Sequence, residues 1–82
     1  MMEPNDKKIL TYLYEAKANI FNRKNTPVSF RILQEDLGLT SCTIQERINA
    51  LERERKVEVI RINDHNMFAR ITNAGMQLLE SE

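Results

Sequence analysis

The side chains that most often perform chemistry are scarce in this sequence, which contains one cysteine, Cys42, and one histidine, His65. A single cysteine and a single histidine cannot build a structural zinc site, and one cysteine forms no internal disulfide. No phosphate-binding loop or nucleophile motif is present, and the acidic residues are scattered along the chain. The sequence therefore predicts a protein that is not an enzyme, with no cofactor, no metal site and no evident small-molecule ligand.

Charge is balanced over the whole chain but not along it. Twelve basic residues offset twelve acidic ones, and the net charge of zero argues against a generally basic nucleic-acid binder. Residues 23–34 nevertheless carry three positive charges, from Arg23, Lys24 and Arg31. Because electrostatic steering depends on how charge is distributed rather than on its sum, a local basic face stays possible.

Length and composition indicate one soluble domain. The chain has 82 residues, of which 41% are hydrophobic and 29% charged. No apolar stretch approaches the ~18–20 residues of a transmembrane helix, and residues 1–8 lack the apolar core of a signal peptide. We therefore expect a single domain over residues 1–82, in the cytoplasm and without a membrane partner.

The first predicted helix has a wide apolar sector. It extends from a cap at Asn5 or Asp6, with Pro4 just outside, to about Asn22. Two neighbouring stripes recur along it at helical spacing: Ile9, Leu13, Ala16 and Ile20, and beside them Leu10, Tyr14, Ala18 and Phe21. Most of these side chains should form core, and the excess suggests a homodimer interface along this helix.

Two short helices follow, joined by a turn that contains a glycine. Ser29 is placed to cap the second helix, and Gly38 is placed to end it in a left-handed conformation. Thr40 or Ser41 caps the third helix, whose apolar stripe is Ile44, Ile48 and Leu51. A glycine-containing turn of three or four residues between two short helices is typical of a helix-turn-helix motif. We place this motif at about residues 29–55.

After Lys56 the apolar period changes from helical to alternating. Residues 57–62 and 67–72 predict two strands, joined by the turn-forming residues 63–66, and Thr72 is placed to cap a last helix over residues 73–81. Two strands alone are marginal, so the hairpin must pack on the helices. The predicted fold is thus α+β and mostly helical, with a three-helix core, a two-stranded hairpin over about residues 57–72 and a short C-terminal helix.

Two segments resemble a known family. Residues 37–57, LGLTSCTIQERINALERERKV, resemble the helix-turn-helix core of winged-helix transcription regulators. Residues 69–80, ARITNAGMQLLE, resemble the second wing strand and the Thr-x-x-Gly helix start that close this domain in MarR-like and PadR-like regulators. The resemblance covers roughly residues 8–80, and the order and spacing of the two segments are more specific than either segment alone.

The resemblance implies that the third helix, about residues 41–54, enters the major groove of DNA, where its N-terminal residues reach base edges. These residues would be Ser41, Cys42, Thr43, Gln45, Glu46 and Asn49. Glutamine and asparagine amides suit adenine edges, and glutamate accepts from cytosine. The residues implied at the DNA backbone or minor groove are Arg31 and Arg47 together with Arg61, His65, Asn66 and Arg70 of the hairpin, or wing.

Several positions carry more than one interpretation. Cys42 is favoured as a small filler near the start of the third helix, with contact to a thymine methyl and a redox switch as alternatives. His65 is favoured as an exposed turn residue. Arg55 stands where the family usually has glycine, so either it adopts a left-handed conformation at ~1 kcal/mol or the third helix runs on. Glu46 replaces the basic residues common on such helices.

These observations predict a small transcription regulator that binds double-stranded DNA sequence-specifically as a homodimer and is nucleoid-associated when bound. The alternative is a winged-helix module that docks another protein and binds no DNA. Zero net charge and Glu46 favour the alternative. The turn motif, the polar face of the third helix and the wing arginines favour DNA.

Overall fold

The computed structural model describes residues 2–18 and 27–81, apart from the side chains of residues 17 and 18. Helix α1 spans Pro4–Ala18, and the short strand β1, Val28–Ser29, leads directly into α2, Phe30–Leu37. Helix α3 spans Ser41–Arg53 and is followed by strands β2, Val57–Asn63, and β3, Asn66–Ile71, and by helix α4, Asn73–Glu80. The strands form one antiparallel sheet in the order β1-β3-β2. The predicted α+β fold is confirmed, with one strand more than the sequence suggested.

Helix α1 begins earlier than predicted. Pro4 is its first residue, and the Asp6 backbone N–H donates to Glu3 Oε2 at 3.3 Å. The predicted cap at Asn5 or Asp6 is therefore wrong. Proline is favoured at a first helical position, because the N–H that it lacks would have no partner there. The predicted helix end near Asn22 and the predicted loop over residues 23–26 lie outside the described residues.

The caps of the helix-turn-helix follow the sequence closely. Ser29 Oγ accepts from the Ile32 N–H at 3.1 Å at the start of α2. Gly38 ends that helix at φ 66° and ψ 29°, the left-handed conformation that glycine adopts most easily. Thr40, rather than Ser41, caps α3 by accepting from the Thr43 N–H at 3.1 Å.

The end of α3 is set by Arg55, which has a φ of 61°. Its N–H donates to Glu52 O, and the next N–H, that of Lys56, donates to Leu51 O, both at 2.9 Å. This pair of bonds is the usual closure of a helix by a left-handed residue. The left-handed alternative for Arg55 is therefore the one that occurs, and the two hydrogen bonds offset its conformational cost.

The core is built from one face of each long helix and from the base of the sheet. The three apolar residues predicted for the inner face of α3, Ile44, Ile48 and Leu51, are all buried. The other buried hydrophobic residues are Ile9, Leu10, Leu13, Leu33, Val57, Ala69 and Ile71. Both predicted stripes of α1 therefore contribute to the chain's own core.

The base of the hairpin is locked to the start of α4. Thr72 Oγ1 donates to Arg55 O at 2.7 Å and accepts from the Gly75 N–H at 3.1 Å. The Thr72 N–H also donates to Lys56 O at 3.1 Å. Gly75 packs so closely on this segment that a Cβ there would lie 2.3 Å from Lys56 O and 2.8 Å from Ile71 Cγ1. Residue 75 must therefore be glycine for the start of α4 to pack against Lys56 at the base of the hairpin.

We expect Gly75→Ala to destabilise the protein by about 3 kcal/mol or more, the upper end of what overpacking costs, because backbone rather than a flexible side chain stands in the way. Gly38→Ala is the matched control, since its Cβ would meet nothing within 4 Å and only the left-handed backbone is strained, at ~1–2 kcal/mol. Chemical denaturation of both variants measures the difference. Equal losses of unfolding free energy in the two variants would show that the Lys56 backbone moves aside at little cost.

Candidate nucleic-acid interface

The outward face of α3 is polar and open. Gln45, Glu46 and Asn49 are exposed, on the side of the helix away from the buried stripe. Gln45 Nε2 donates to Ser41 Oγ at 3.5 Å, and Thr43 is half-buried beside the cap. Cys42 is exposed, so its favoured interpretation as a filler is wrong, because the first turn of α3 presents it to solvent rather than to the core.

A cleft of about 440 Å³ separates the N-terminal ends of α2 and α3 from the tip of the hairpin. It brings together five of the predicted site residues: Arg31, Ser41, Gln45, His65 and Asn66. The remaining lining residues are Ser29, Phe30, Gln34, Asp64, Met67 and Phe68. The outward face of α3 is thus continuous with the tip of the hairpin through Gln45.

The turn of the hairpin is organised by Asn63. Its Oδ1 accepts from the His65 N–H at 2.9 Å and from Asn66 Nδ2 at 3.2 Å. His65 itself is exposed, as the favoured interpretation had it. Just before the turn, the register between β2 and β3 shifts between Arg61 and Asn63, and Ile62 at this irregularity is 67% exposed.

Arg47 does not lie on the open face. Its Nε and Nη2 donate to Asp6 Oδ1 and Oδ2 at 2.7 and 2.9 Å, and Nε lies 3.2 Å from Glu3 Oε2. Arg47 falls three residues after Ile44 and one before Ile48, at the border of the buried stripe, so it points toward α1. Asp6 is buried, and its hydrogen bonds raise the pKa of Arg47. A phosphate contact by Arg47 would therefore compete with this internal carboxylate for Nε and Nη2.

The two wing arginines are also paired within the chain. Arg61 Nη1 and Nη2 donate to the two carboxylate oxygens of Glu52 at 3.0 and 2.8 Å, and these bonds lower the pKa of Glu52. Arg70 Nη2 donates to Glu58 Oε1 at 2.6 Å across the β2–β3 pair. Strand alternation puts Arg61 on the helix side of the sheet and Arg70 on the opposite side.

Arg31 is the least engaged of the predicted site arginines. Its Nε lies 3.8 Å from Glu35 Oε1, and the two side chains are 86% and 68% exposed. An exposed pair at this distance holds neither partner firmly. Arg23 and Lys24, the other two positive charges of residues 23–34, lie outside the described residues.

Solved structures with the same arrangement of helices and strands exist. A protein of Ralstonia eutropha, provisionally named DNA-binding, superposes with a TM-score of 0.83 at 20% identity, covering 99% of this chain and 96% of that one. MepR, a transcription regulator of the Staphylococcus aureus multidrug efflux pump MepA, superposes with a TM-score of 0.77 at 18% identity. The structure of MepR in complex with DNA superposes with a TM-score of 0.75 at 18% identity. This chain has the winged helix-turn-helix fold.

The likeness is one of fold. The superposition covers 98% of this chain but only 54% of MepR, so this chain spans about half the length of that regulator. No protein-family model and no curated protein matches the sequence. In winged-helix terms, α2 and α3 form the helix-turn-helix, α3 takes the place of the recognition helix, and β2 and β3 form the wing.

Sequence reasoning missed several residues of this surface. Gln34 reaches the cleft from α2, and no sequence pattern brings α2 and the wing turn together. Glu52 did carry a signal, because it lies seven residues after Gln45 and three after Asn49, on the same face of α3. Within the described residues, no group of three or more potential ligands could hold a metal ion, and no helix is long and apolar enough to span a membrane.

We expect Arg47→Ala to destabilise the protein by about 1–3 kcal/mol, because it leaves the buried Asp6 carboxylate without its main partner. The Arg47 side chain is 27% exposed, so the loss of stability should be smaller than that for breaking a fully buried ion pair. Arg53→Ala, on the exposed side of the same helix, is the matched control and should change stability by under ~0.5 kcal/mol. Equal unfolding free energies for the two variants would contradict a structural role for Arg47.

Proposed function

We propose that the chain binds double-stranded DNA sequence-specifically, as a small transcription regulator. In this proposal α3 lies in the major groove and the wing contacts the adjacent backbone or minor groove. The observation that carries it is the continuous polar surface from Asn49 and Gln45 through the cleft to the wing tip. A shared fold with MepR, which has been seen in a complex with DNA, supports DNA binding.

The proposed contacts divide into two kinds. Gln45 and Asn49 lie four residues apart and project from one face of α3, where their amides suit adenine edges. Ser41, Cys42, Thr43 and Glu46 complete the part of α3 that approaches the bases. Phosphate and sugar contacts, which fix the position of the protein without reading sequence, are assigned to Arg31, Arg61, His65, Asn66 and Arg70.

A second candidate function is docking of another protein without DNA. The specific observation in its favour is that Arg31, Arg61 and Arg70 each lie within 4 Å of a carboxylate of the same chain. A surface whose cations are neutralised in this way attracts polyanions weakly. The two candidates differ in one measurable respect, since only the first predicts a preferred DNA sequence.

Selection from random duplex DNA at two salt concentrations should yield a preferred site. On that site, Gln45→Ala should cost about 1–3 kcal/mol and relax the preference at one base pair, as expected for loss of a bidentate contact. Gln77→Ala, an exposed glutamine on α4, is the matched control and should change neither quantity. If no sequence is enriched at either salt concentration, the protein-docking function becomes the better account.

We also propose a homodimer through α1. The described apolar residues Ile9, Leu10 and Leu13 face the chain's own core, so the interface must use another side of the helix. A groove of about 460 Å³ lies along that side, lined by Pro4, Lys7, Lys8, Thr11, Tyr12, Glu15 and Leu37. In an antiparallel pair of α1 helices, Lys7 and Lys8 of one chain would lie opposite Glu15 of the other. A dimer would also address two half-sites one turn of DNA apart.

Sedimentation at high micromolar concentration should therefore show a dimer. Glu15→Lys should shift the equilibrium toward monomer by placing like charges across the interface, and adding Lys8→Glu to it should restore association. Asp64→Lys, in the turn of the hairpin and outside the lining of the groove, is the control for the change in net charge. A wild-type monomer at high micromolar concentration would contradict the interface, and DNA would then have to assemble the pair.

A further inference from the structure

Glu52 and Arg61 form an ion pair at the C-terminal end of the proposed DNA surface. Glu52 lies on the face of α3 that also carries Gln45 and Asn49, at helical spacings of seven and three residues. Arg61 reaches it from the helix side of the wing. Both Nη atoms of Arg61 are used, at 3.0 and 2.8 Å, one on each carboxylate oxygen.

This geometry is the one in which arginine also grips a phosphate. Carboxylate and phosphate both offer two oxygens to the guanidinium fork, so one Arg61 cannot hold both in this manner. A phosphate that approached Arg61 would also meet the negative charge of Glu52. The carboxylate therefore occupies the place that a DNA phosphate would take.

The pair is placed so that it can open. The Arg61 side chain is 50% exposed and that of Glu52 is 34% exposed, whereas Asp6, which holds Arg47, is 10% exposed. An exposed ion pair contributes little to stability, while separation of the Asp6–Arg47 pair would strand a buried charge. Of these two paired arginines, only Arg61 can change partners readily.

We propose that Glu52 is an intramolecular competitor for the DNA phosphate at Arg61, so that DNA binding exchanges a carboxylate for a phosphate. This inference rests on the proposed DNA-binding function. The exchange lowers affinity for every sequence by the same factor, because phosphate contacts carry no sequence information. It also flattens the salt dependence, since the complexes in which Arg61 stays on Glu52 make one phosphate contact fewer.

The test compares Glu52→Gln with Glu54→Gln in duplex-binding titrations over a range of salt concentrations. Both variants raise the net charge by one within three residues of each other, but Glu54 has no ion pair among the described residues. We expect Glu52→Gln to bind about two- to fivefold more tightly than Glu54→Gln, the range set by a surface ion pair that no longer has to open. The gain should be equal on the preferred and on a random duplex, and the salt slope should steepen by up to about one.

Arg61→Ala supplies the second arm. In that background Glu52→Gln and Glu54→Gln should have the same effect, because no guanidinium is left to release. The inference is overturned if Glu52→Gln does not exceed Glu54→Gln, if its advantage persists without Arg61, or if it weakens binding, as a pair that merely positions the wing would. Those outcomes leave the proposed function intact, whereas failure of the wild type and every variant to bind DNA overturns both.

Discussion

The backbone carbonyl of Lys56 is the point at which the helical part of the molecule and the wing are joined. Arg55 turns the chain out of α3 in a left-handed conformation, and Lys56 O then accepts from the Thr72 N–H as the chain returns from the wing. Gly75 packs directly against the same carbonyl, which is possible because glycine lacks a Cβ. The wing therefore leaves and rejoins the core at one rigid place. Its orientation relative to α3, and with it the width of the cleft, depends on this junction.

The charges of the molecule are used mainly within the chain. Four arginines, Arg31, Arg47, Arg61 and Arg70, face carboxylates of the described residues, which is the structural counterpart of a net charge of zero. The pairs nevertheless differ in what they do. Arg47 and the buried Asp6 tie α3 to the first turn of α1, and so fix the rotation of the helix that carries Gln45 and Asn49. The pair of Arg61 and Glu52 lies at the surface, where solvent and ligands compete with it.

The sequence predicted what depends on local spacing and missed what depends on a distant partner. Ser29, Gly38 and Thr72 act as caps because their bonds reach only a few residues along the chain. Strand β1 escaped prediction because two residues show no alternation, and only pairing with β3 defines it. Arg47 was assigned outward because Asp6 lies 41 residues away in sequence. Cys42 was assigned inward by its size and apolar character, although the position of the Thr40 cap sets its direction.

For the proposed DNA-binding function, a neutral chain with amides on its base-reading helix implies a particular division between affinity and specificity. Binding to arbitrary DNA comes almost wholly from phosphate contacts and counterion release. Where carboxylates within the chain oppose those contacts, arbitrary sequences are bound weakly. The contacts with bases that are proposed for Gln45 and Asn49 would not be opposed in this way, because the described residues place no carboxylate on those amides. Low net charge would then raise the ratio of specific to non-specific binding while lowering both affinities. Two linked half-sites would compensate for the lower affinity, since a second bound subunit adds its free energy to the first.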